Sequence, residues 1–411
     1  MKLFSYPVMA ALICIVFVIP QGFYVESTGF SEIFSGGQYW LYASACLIGL
    51  QVGFARYSKL RGGRAKAEVV RTPPLFVDRT RGLIVAAALI VVGGASLQFA
   101  EATASAQSLG QQWTGVATFY YLLAQLLYFG ITIAALLFFR RPSIIVGAIL
   151  AFGLLLTYPA VFGMVKRHVI FELVFILGGA LFFTRNVLPS RAAMIAMLIF
   201  GTLLLHQVGE VRQYIRDNNA TAVEAILEGE TLSGFSYFDV DRAPEIEEGI
   251  YDVFYADQFS DFNFGKDHWN RIVHQYVPAF LVGRDFKEFL QLPTDTIIRA
   301  EGINDLDYGG ATRTGFADSF TNFWWFGVFA FVAIGAFMGW AFRRARAGDT
   351  KAQFLYLILL ADGLFAVTDS TARYLSGLPF TFFCVWLIFI YAKSKRNSHQ
   401  ATSRQRAELM I

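Results

Sequence analysis

The chain has 411 residues, of which 55% are hydrophobic and only 16% are charged, and its formal net charge at pH 7 is +3. This balance excludes an ordinary soluble globular protein and favours one whose solvent is the lipid bilayer. The three cysteines, Cys14, Cys46 and Cys384, all lie inside apolar runs, so we expect neither a disulfide nor a metal site.

Apolar segments along the whole chain predict membrane-spanning helices. A helix needs about 20 apolar residues to cross the hydrocarbon, where only the helix itself can satisfy its backbone amides. The ten segments that meet this requirement lie near 5–22, 38–54, 83–100, 115–139, 143–162, 168–184, 192–210, 318–342, 353–370 and 374–392. The sequence therefore predicts a bundle of about ten spans.

The distribution of lysine and arginine predicts how these spans are oriented. Positive side chains resist translocation and accumulate in short cytoplasmic loops. Segments 23–37 and 101–114 contain no lysine or arginine, whereas the alternate connections and the stretch 393–411 hold many. We therefore expect both ends of the chain in the cytoplasm and the two uncharged connections on the opposite side.

Residues 211–317 form one long polar segment between two groups of spans. The segment holds 19 acidic against nine basic residues, and it is rich in aromatic residues that can bury surface. Residues 269–277 carry apolar side chains at helical spacing that stop at Pro278. This pattern predicts an amphipathic helix that lies on the membrane or on the bundle.

These features predict an all-α fold, a polytopic transmembrane helical bundle of about ten spans with a largely helical extracytoplasmic loop domain. Residues 1–210 would hold spans one to seven, and 211–317 would form the loop domain. Residues 318–392 would hold spans eight to ten, followed by a cytoplasmic tail at 393–411.

Lys166 and Arg167 open the predicted sixth span on the outer side, where the orientation rule disfavours positive charge. One interpretation is that both side chains only reach for the membrane interface. The other is an anion site for a diphosphate, because the arginine fork donates two hydrogen bonds to a phosphate. Arg212, at the exit of the seventh span, is a further candidate for this site.

The glycine-rich run 309–319 enters the predicted eighth span and contains Arg313 and Asp318. Its glycines would let the backbone approach a ligand, with Arg313 supplying positive charge and Asp318 a carboxylate. The alternative is that Asp318 only caps this helix, because Asp is favoured at helix N-termini.

Charged residues also occur near the last two spans and in the polar segment. Asp362 lies in mid-span, while Asp369 and Arg373 are four residues apart at the outer turn. Arg373 is a candidate for binding a diphosphate, and the alternative is a simple pair with Asp369. His268 and His274 lie on the predicted amphipathic helix and are candidates for a catalytic base, although a surface histidine is usually inert.

The sequence resembles a known family in several short elements. They are Lys166 and Arg167 opening a span, the segment 277–281 (Val-Pro-Ala-Phe-Leu), and Asp318 followed by 325–327 (Trp-Phe-Gly). Together with the large loop before the closing spans, these elements resemble the O-antigen polymerase (Wzy-type) family and related oligosaccharide repeat-unit polymerases. The resemblance covers residues 143–342.

The resemblance implies metal-independent glycosyl transfer at the outer face of the bacterial inner membrane, without a cofactor. Undecaprenyl-diphosphate-linked glycans would be both donor and acceptor. Membrane lipids, a chain-length regulator and a flippase of the same pathway are the expected partners, and nucleic acid is not. The catalytic candidates are then Asp318, His274 and His268, and the diphosphate would be held by Lys166, Arg167, Arg212, Arg313 and Arg373.

A membrane scaffold or assembly factor, which a loop tolerant of charge reversal would favour, remains open at this stage, as do two further classes of function. The first is a ligase-like transferase that moves finished glycan onto another lipid or protein. The second is a transporter or flippase, whose hallmark would be polar residues distributed along several spans. The sequence has no P-loop, dinucleotide glycine fingerprint, HExxH or nucleophile-elbow motif, which argues against nucleotide-driven enzymes and the common hydrolases.

Overall fold

A computed structural model describes seven stretches of the chain. They are residues 4–34, 36–58, 78–104, 116–158, 167–187, 244–293 and 314–392. Within these stretches every regular element is a helix. The predicted seventh span near 192–210 and the candidate residues Lys166, Arg212 and Arg313 lie outside them.

Helices α1 to α8 precede the polar segment. They are α1 (Tyr6–Ile13), α2 (Ile19–Ser27), α3 (Phe30–Ile33), α4 (Gly36–Ser58), α5 (Arg79–Ala104), α6 (Val116–Arg140), α7 (Ile144–Leu156) and α8 (Arg167–Arg185). A π-helical turn at Cys14–Val18 joins α1 to α2, where a proline follows at position 20.

Helices α9 to α16 form the rest of the described chain. They are α9 (Pro244–Phe259), α10 (Lys266–Tyr276), α11 (Ala279–Val282), α12 (Arg284–Leu290), α13 (Gly315–Phe323), α14 (Val328–Arg346), α15 (Thr350–Thr368) and α16 (Thr371–Ala392). A 3-10 turn at Trp324–Gly327 separates α13 from α14, and Trp324 has a left-handed φ of 52°. The span predicted near 318–342 therefore contains a 3-10 turn, although Gly315–Arg346 as a whole is one candidate span.

Five described segments are long and apolar enough to span a membrane. They are Arg79–Thr103, Val116–Arg140, Gly315–Arg346, Thr350–Thr368 and Thr371–Ala392. Helices also occupy the predicted first, second, fifth and sixth spans, but these helices are not among the five. Helix α7, for example, has only 13 residues. The structure thus confirms an all-helical chain with candidate membrane spans, and a number of ten stays a prediction.

The described part of the polar segment is helical, as its composition predicts. Helix α10 begins at Lys266 and ends before Pro278, which confirms the predicted helix and its stop. Its His268 and Val273 are buried, and Tyr276 donates a 2.6 Å hydrogen bond to the backbone oxygen of Ser376 in α16. Of the two predicted positions, α10 therefore lies on the bundle.

Two glycines bring α4 and α14 into backbone contact. A Cβ atom at Gly53 would lie 2.2 Å from the carbonyl oxygen of Val332, and one at Gly335 would lie 2.2 Å from that of Leu50. Small residues allow such close approach between helices in a membrane, where lipid offers little hydrophobic drive for association. The contact fixes the start of α4 next to α13.

Positive side chains gather at one end of the bundle. There Arg140 Nη1 donates to Thr350 Oγ1 at 2.9 Å, and Arg79 Nη2 donates to Ser143 Oγ at 3.0 Å. We call this end the arginine end; its cationic residues are Arg56, Arg79, Arg81, Arg140, Arg141, Arg185, Arg343, Arg344, Arg346 and Lys351. The opposite end, where α4, α13 and α16 begin, is the site end.

Candidate functional site

Asp318 lies at the site end and is 1% exposed. Its own helix is capped by Thr314, whose Oγ1 accepts a hydrogen bond from Ala317 N at 3.4 Å. Asp318 instead reaches the start of α16, because its Oδ2 accepts from the Thr371 hydroxyl at 2.6 Å, from Ala372 N at 3.3 Å and from Ser370 Oγ at 3.1 Å. The structure therefore differs from the alternative in which Asp318 caps its own helix.

Thr371 links Asp318 to His268. His268 Nε2 lies 3.1 Å from Thr371 Oγ1 and 4.0 Å from Asp318 Oδ2. The Thr371 hydroxyl has one proton, which its short bond gives to Asp318, so it accepts a hydrogen bond from the protonated Nε2 of His268. In the neutral imidazole this leaves the lone pair on Nδ1, a buried atom that has no hydrogen-bond partner among the described residues. We call these three residues the His268 relay.

Amide side chains hold α10 and α13 together beside the His268 relay. Asn322 Nδ2 donates to the backbone oxygen of Asp318 at 2.9 Å and to Asp267 Oδ2 at 3.4 Å. Asp267 Oδ2 also accepts from Asn263 Nδ2 at 2.8 Å. The ring of Phe323 lies 5.2 Å from the His268 ring, so the imidazole is fixed between an aromatic ring and a hydroxyl group.

Two tyrosines of α4 fix the position of α13. The hydroxyl of Tyr39 lies 2.9 Å from Thr314 Oγ1, and that of Tyr42 lies 2.9 Å from Ser319 Oγ. Both tyrosines are fully buried. Because α4 is itself pressed against α14, the Asp318 carboxylate sits on a rigid support.

Arg373 forms the ion pair that the sequence offered as an alternative to phosphate binding. Its Nη1 lies 3.0 Å from Asp369 Oδ2, and its Nε lies 3.9 Å from Asp362 Oδ1. Its guanidinium also stacks on the Phe365 ring at 4.4 Å. Two carboxylates already offset the charge of Arg373, so a diphosphate would have to compete with them.

Arg271 is a residue that the sequence-based site left out. It lies one turn after His268 on α10, is exposed, and forms no hydrogen bond or ion pair with the described residues. Asp369, Asp318 and Arg373 are close enough to act on its charge. The signal was its spacing of three residues from His268, which places both side chains on one face of a helix.

His274 lies away from the His268 relay. Burial lowers the pKa of its imidazole, and the positive charges of Lys287 and Arg271 lower it further. Lys287 Nζ donates to the backbone oxygen of His274 at 3.2 Å, which fixes this positive charge nearby. Of the three predicted catalytic residues, the structure brings Asp318 and His268 together and leaves His274 apart.

Other predicted site residues receive no test from the geometry. Arg167 begins α8, but its side chain is not described, and Lys166, Arg212 and Arg313 lie outside the described residues. Among the described residues no group of three or more His, Cys, Asp or Glu could hold a metal ion.

No family model, curated protein or solved structure matches this chain. The resemblance to Wzy-type polymerases therefore rests on the sequence elements alone.

Proposed function

We propose that this chain is a polysaccharide polymerase of the bacterial inner membrane. It would transfer an undecaprenyl-diphosphate-linked glycan onto a lipid-linked repeat unit at the outer face. The observation that carries this proposal is the His268 relay, a buried histidine with a free Nδ1 lone pair, held through Thr371 by Asp318. Such a group can accept the proton of a sugar hydroxyl.

The proposed orientation follows from the two ends of the bundle. Positive residues favour the cytoplasmic side, so the arginine end faces the cytoplasm and the site end faces outward. In this proposal the chain crosses the membrane ten times and both termini are cytoplasmic. The His268 relay then lies on the outer face, where a flipped lipid-linked glycan would meet it.

The transfer step uses the His268 relay as base. The oxygen of the acceptor hydroxyl forms a bond to the anomeric carbon of the donor, and the bond from that carbon to the diphosphate oxygen breaks. Nδ1 is buried in the structure, so the acceptor sugar must first displace the side chains that cover it. The hydroxyl proton then passes to His268 Nδ1, and the lipid diphosphate leaves with the electron pair. Thr371 and Asp318 keep the proton on Nε2, which leaves Nδ1 as the accepting atom.

Negative charge builds on the diphosphate as it leaves, and a cation beside it lowers the barrier. Arg271 is the best placed described residue for this role, because it is exposed, lacks an ion-pair partner among the described residues and lies one turn from His268. Arg373 would contribute after exchanging one of its carboxylate partners for phosphate. The exposed Trp269 and Trp324 rings offer surfaces for stacking on sugars.

His268→Gln tests the proposal in cells, because glutamine keeps hydrogen bonding but cannot take the proton. We expect the rate of polymer formation to fall by about 100-fold or more, the usual contribution of a general base, with the protein still present in the membrane. His274→Gln tests the other histidine and should leave most of the polymer. Loss of polymer in His274→Gln together with retention in His268→Gln would reverse the assignment.

The His268 relay would serve a ligase-like transferase equally well, because the two reactions differ in acceptor and share the proton transfer. The acceptor that becomes glycosylated distinguishes them. A transporter or flippase would instead need polar groups along a path through the spans. The polar network that contains Asp318 and His268 lies at the site end, which favours an enzyme.

A further inference from the structure

Helices α11 and α12 form a short hairpin, residues 279–292, that exposes large apolar side chains. These are Phe280 (44% exposed), Leu281 (69%), Val282 (42%), Phe286 (50%), Phe289 (81%) and Leu292 (44%). Single exposed apolar residues are common on proteins, but a contiguous group marks a surface that is covered by something other than water.

Side chains of α10 hold this hairpin in place. Trp269 Nε1 donates to Leu290 O at 2.8 Å. Asn270 donates to Leu292 O and accepts from Leu292 N, both at 2.8 Å. Lys287 of the hairpin is only 3% exposed, and its Nζ donates to the backbone oxygen of His274. This bond holds α12 against α10. The exposed apolar side chains therefore belong to a fixed element.

The contacts of α10 show the level at which the hairpin starts. His268 meets Thr371 at the first residue of α16, whereas the Tyr276 hydroxyl donates to Ser376 O and accepts from Phe380 N at 3.2 Å. At 1.5 Å per residue, Ser376 and Phe380 lie about 8 to 14 Å along α16 from its start. Helix α10 thus runs alongside α16, from the first residue of α16 toward its middle. The hairpin begins at that level.

The hairpin continues the outer apolar surface of another candidate span. The Phe280 ring lies 5.9 Å from that of Phe119, which is in the first turn of α6. Phe119 is 36% exposed and Val116 is 39% exposed, so this part of α6 faces outward from the bundle. A lipid that covers these residues of α6 would also cover the hairpin.

Polar and apolar residues lie on different faces of α12. Arg284 and Glu288 have side chains 72% and 66% exposed and form a 3.9 Å ion pair on one face. At about 100° per residue, the exposed Asp285 continues this polar arc, Phe289 lies in the adjoining apolar arc, and Phe286 lies opposite the ion pair. This is the pattern of a helix at a membrane interface, with charges in the headgroup layer and aromatic rings among the acyl chains.

We infer that residues 279–292 are a membrane-interface hairpin, with Leu281, Phe286 and Phe289 inserted among the lipid acyl chains at the site end. The hairpin anchors α10, and with it His268, at the membrane surface. This inference depends on the exposed surface and its level along α16 and not on the proposed enzymatic activity.

Spin labels on single cysteines test this inference in the full chain. Leu281→Cys, Phe289→Cys and the matched control Glu288→Cys would each carry a nitroxide, in vesicles of phosphatidylcholine and phosphatidylglycerol. The three native cysteines are buried, so the unsubstituted chain serves as the labelling blank. Collision rates with oxygen, which dissolves in hydrocarbon, are compared with those of a water-soluble nickel chelate.

We expect the ratio of oxygen to nickel collisions to be at least several-fold higher at positions 281 and 289 than at 288. Position 281, near the hairpin turn, should give the highest ratio. Equal ratios at 281, 289 and 288 would overturn the inference. Low collision rates with both reagents at 281 and 289 would also overturn it, since they would show a protein surface, such as a second copy, covering the hairpin.

Discussion

Thr371 connects His268 to Asp318 through hydrogen bonds. Its hydroxyl donates to the Asp318 carboxylate and accepts from the His268 ring, and its side chain is fully buried. Thr371 does not touch the site of proton transfer itself. Its role is to fix the imidazole with Nδ1 free, so it is a positioning residue.

Thr371→Val keeps the shape of this side chain and removes the hydroxyl. We expect the rate of polymerisation to fall at least about tenfold, because His268 loses the group that fixes its tautomer. Thr371→Ser restores the hydroxyl and should restore most of the rate. The measurement is the initial rate of chain extension by purified protein.

A buried threonine outside the site provides the control for this substitution. Thr132 in α6 is fully buried, and among the described residues its hydroxyl bonds only within its own helix, to Tyr128 O at 2.7 Å. Thr132→Val should leave the rate within about twofold of the original, as expected for a substitution away from the reacting groups. An unchanged rate in Thr371→Val would show that His268 does not depend on Thr371.

For single residues, the sequence identifies the unusual ones but does not predict which other residues they contact. Asp318 is identifiable because a charged group at the end of an apolar segment requires a reason. His268 is identifiable because it lies on the predicted amphipathic helix of the polar segment. The bridge through Thr371 joins three distant segments, and one sequence holds no signal of their proximity. Arg271 has a clear helical spacing from His268, yet only the three-dimensional structure shows that it forms no ion pair with the described residues.

At the scale of elements, close packing of α4 on α14 supports the site. Each of the two glycines in contact, Gly53 and Gly335, has a second glycine four residues away on the same face, at positions 49 and 339. This spacing is a recognised signal for helix association in membranes. The sequence alone does not show that the two glycine pairs contact each other, because they lie far apart along the chain.

Gly335→Val tests this packing, because its side chain would meet the backbone of Leu50. We expect the free energy of unfolding to fall by about 1–3 kcal/mol, the usual effect of overpacking, measured by thermal unfolding in detergent. Gly37→Ala is the matched control, since a Cβ atom there has open space around it. Equal unfolding midpoints for both variants would show that α4 can move away without cost.

The spacing of apolar residues predicts where a single helix lies. It does not predict an irregular turn inside a helical segment. The apolar spacing up to Pro278 gives the extent of α10 correctly, because Pro at that point cannot continue a helix. The break at Trp324–Gly327 escapes prediction because residues 323–342 are all apolar or glycine. At the break Trp324 has a φ of 52°, and its Nε1 donates to Asp257 Oδ1 of α9 at 3.3 Å.

At the scale of the whole molecule, the two ends of the bundle differ in chemistry. The arginine end carries cations held by backbone carbonyls and hydroxyls, and the site end carries the carboxylates, amides and histidine of the candidate site. Hydropathy and charge predict this polarity and the all-helical class. They do not fix the number of spans, because moderately apolar helices such as α4 can be spans or interior helices.

Chain extension by the purified protein tests the central claim most directly. The protein is placed in vesicles with lipid-diphosphate-linked repeat units, a chelator and no nucleotide sugar, and the products are separated by length. We predict a ladder of longer glycans, with one lipid diphosphate released for each bond formed, and no ladder for His268→Gln. A ladder that requires nucleotide sugar or added metal, or that His268→Gln makes equally well, would contradict the account.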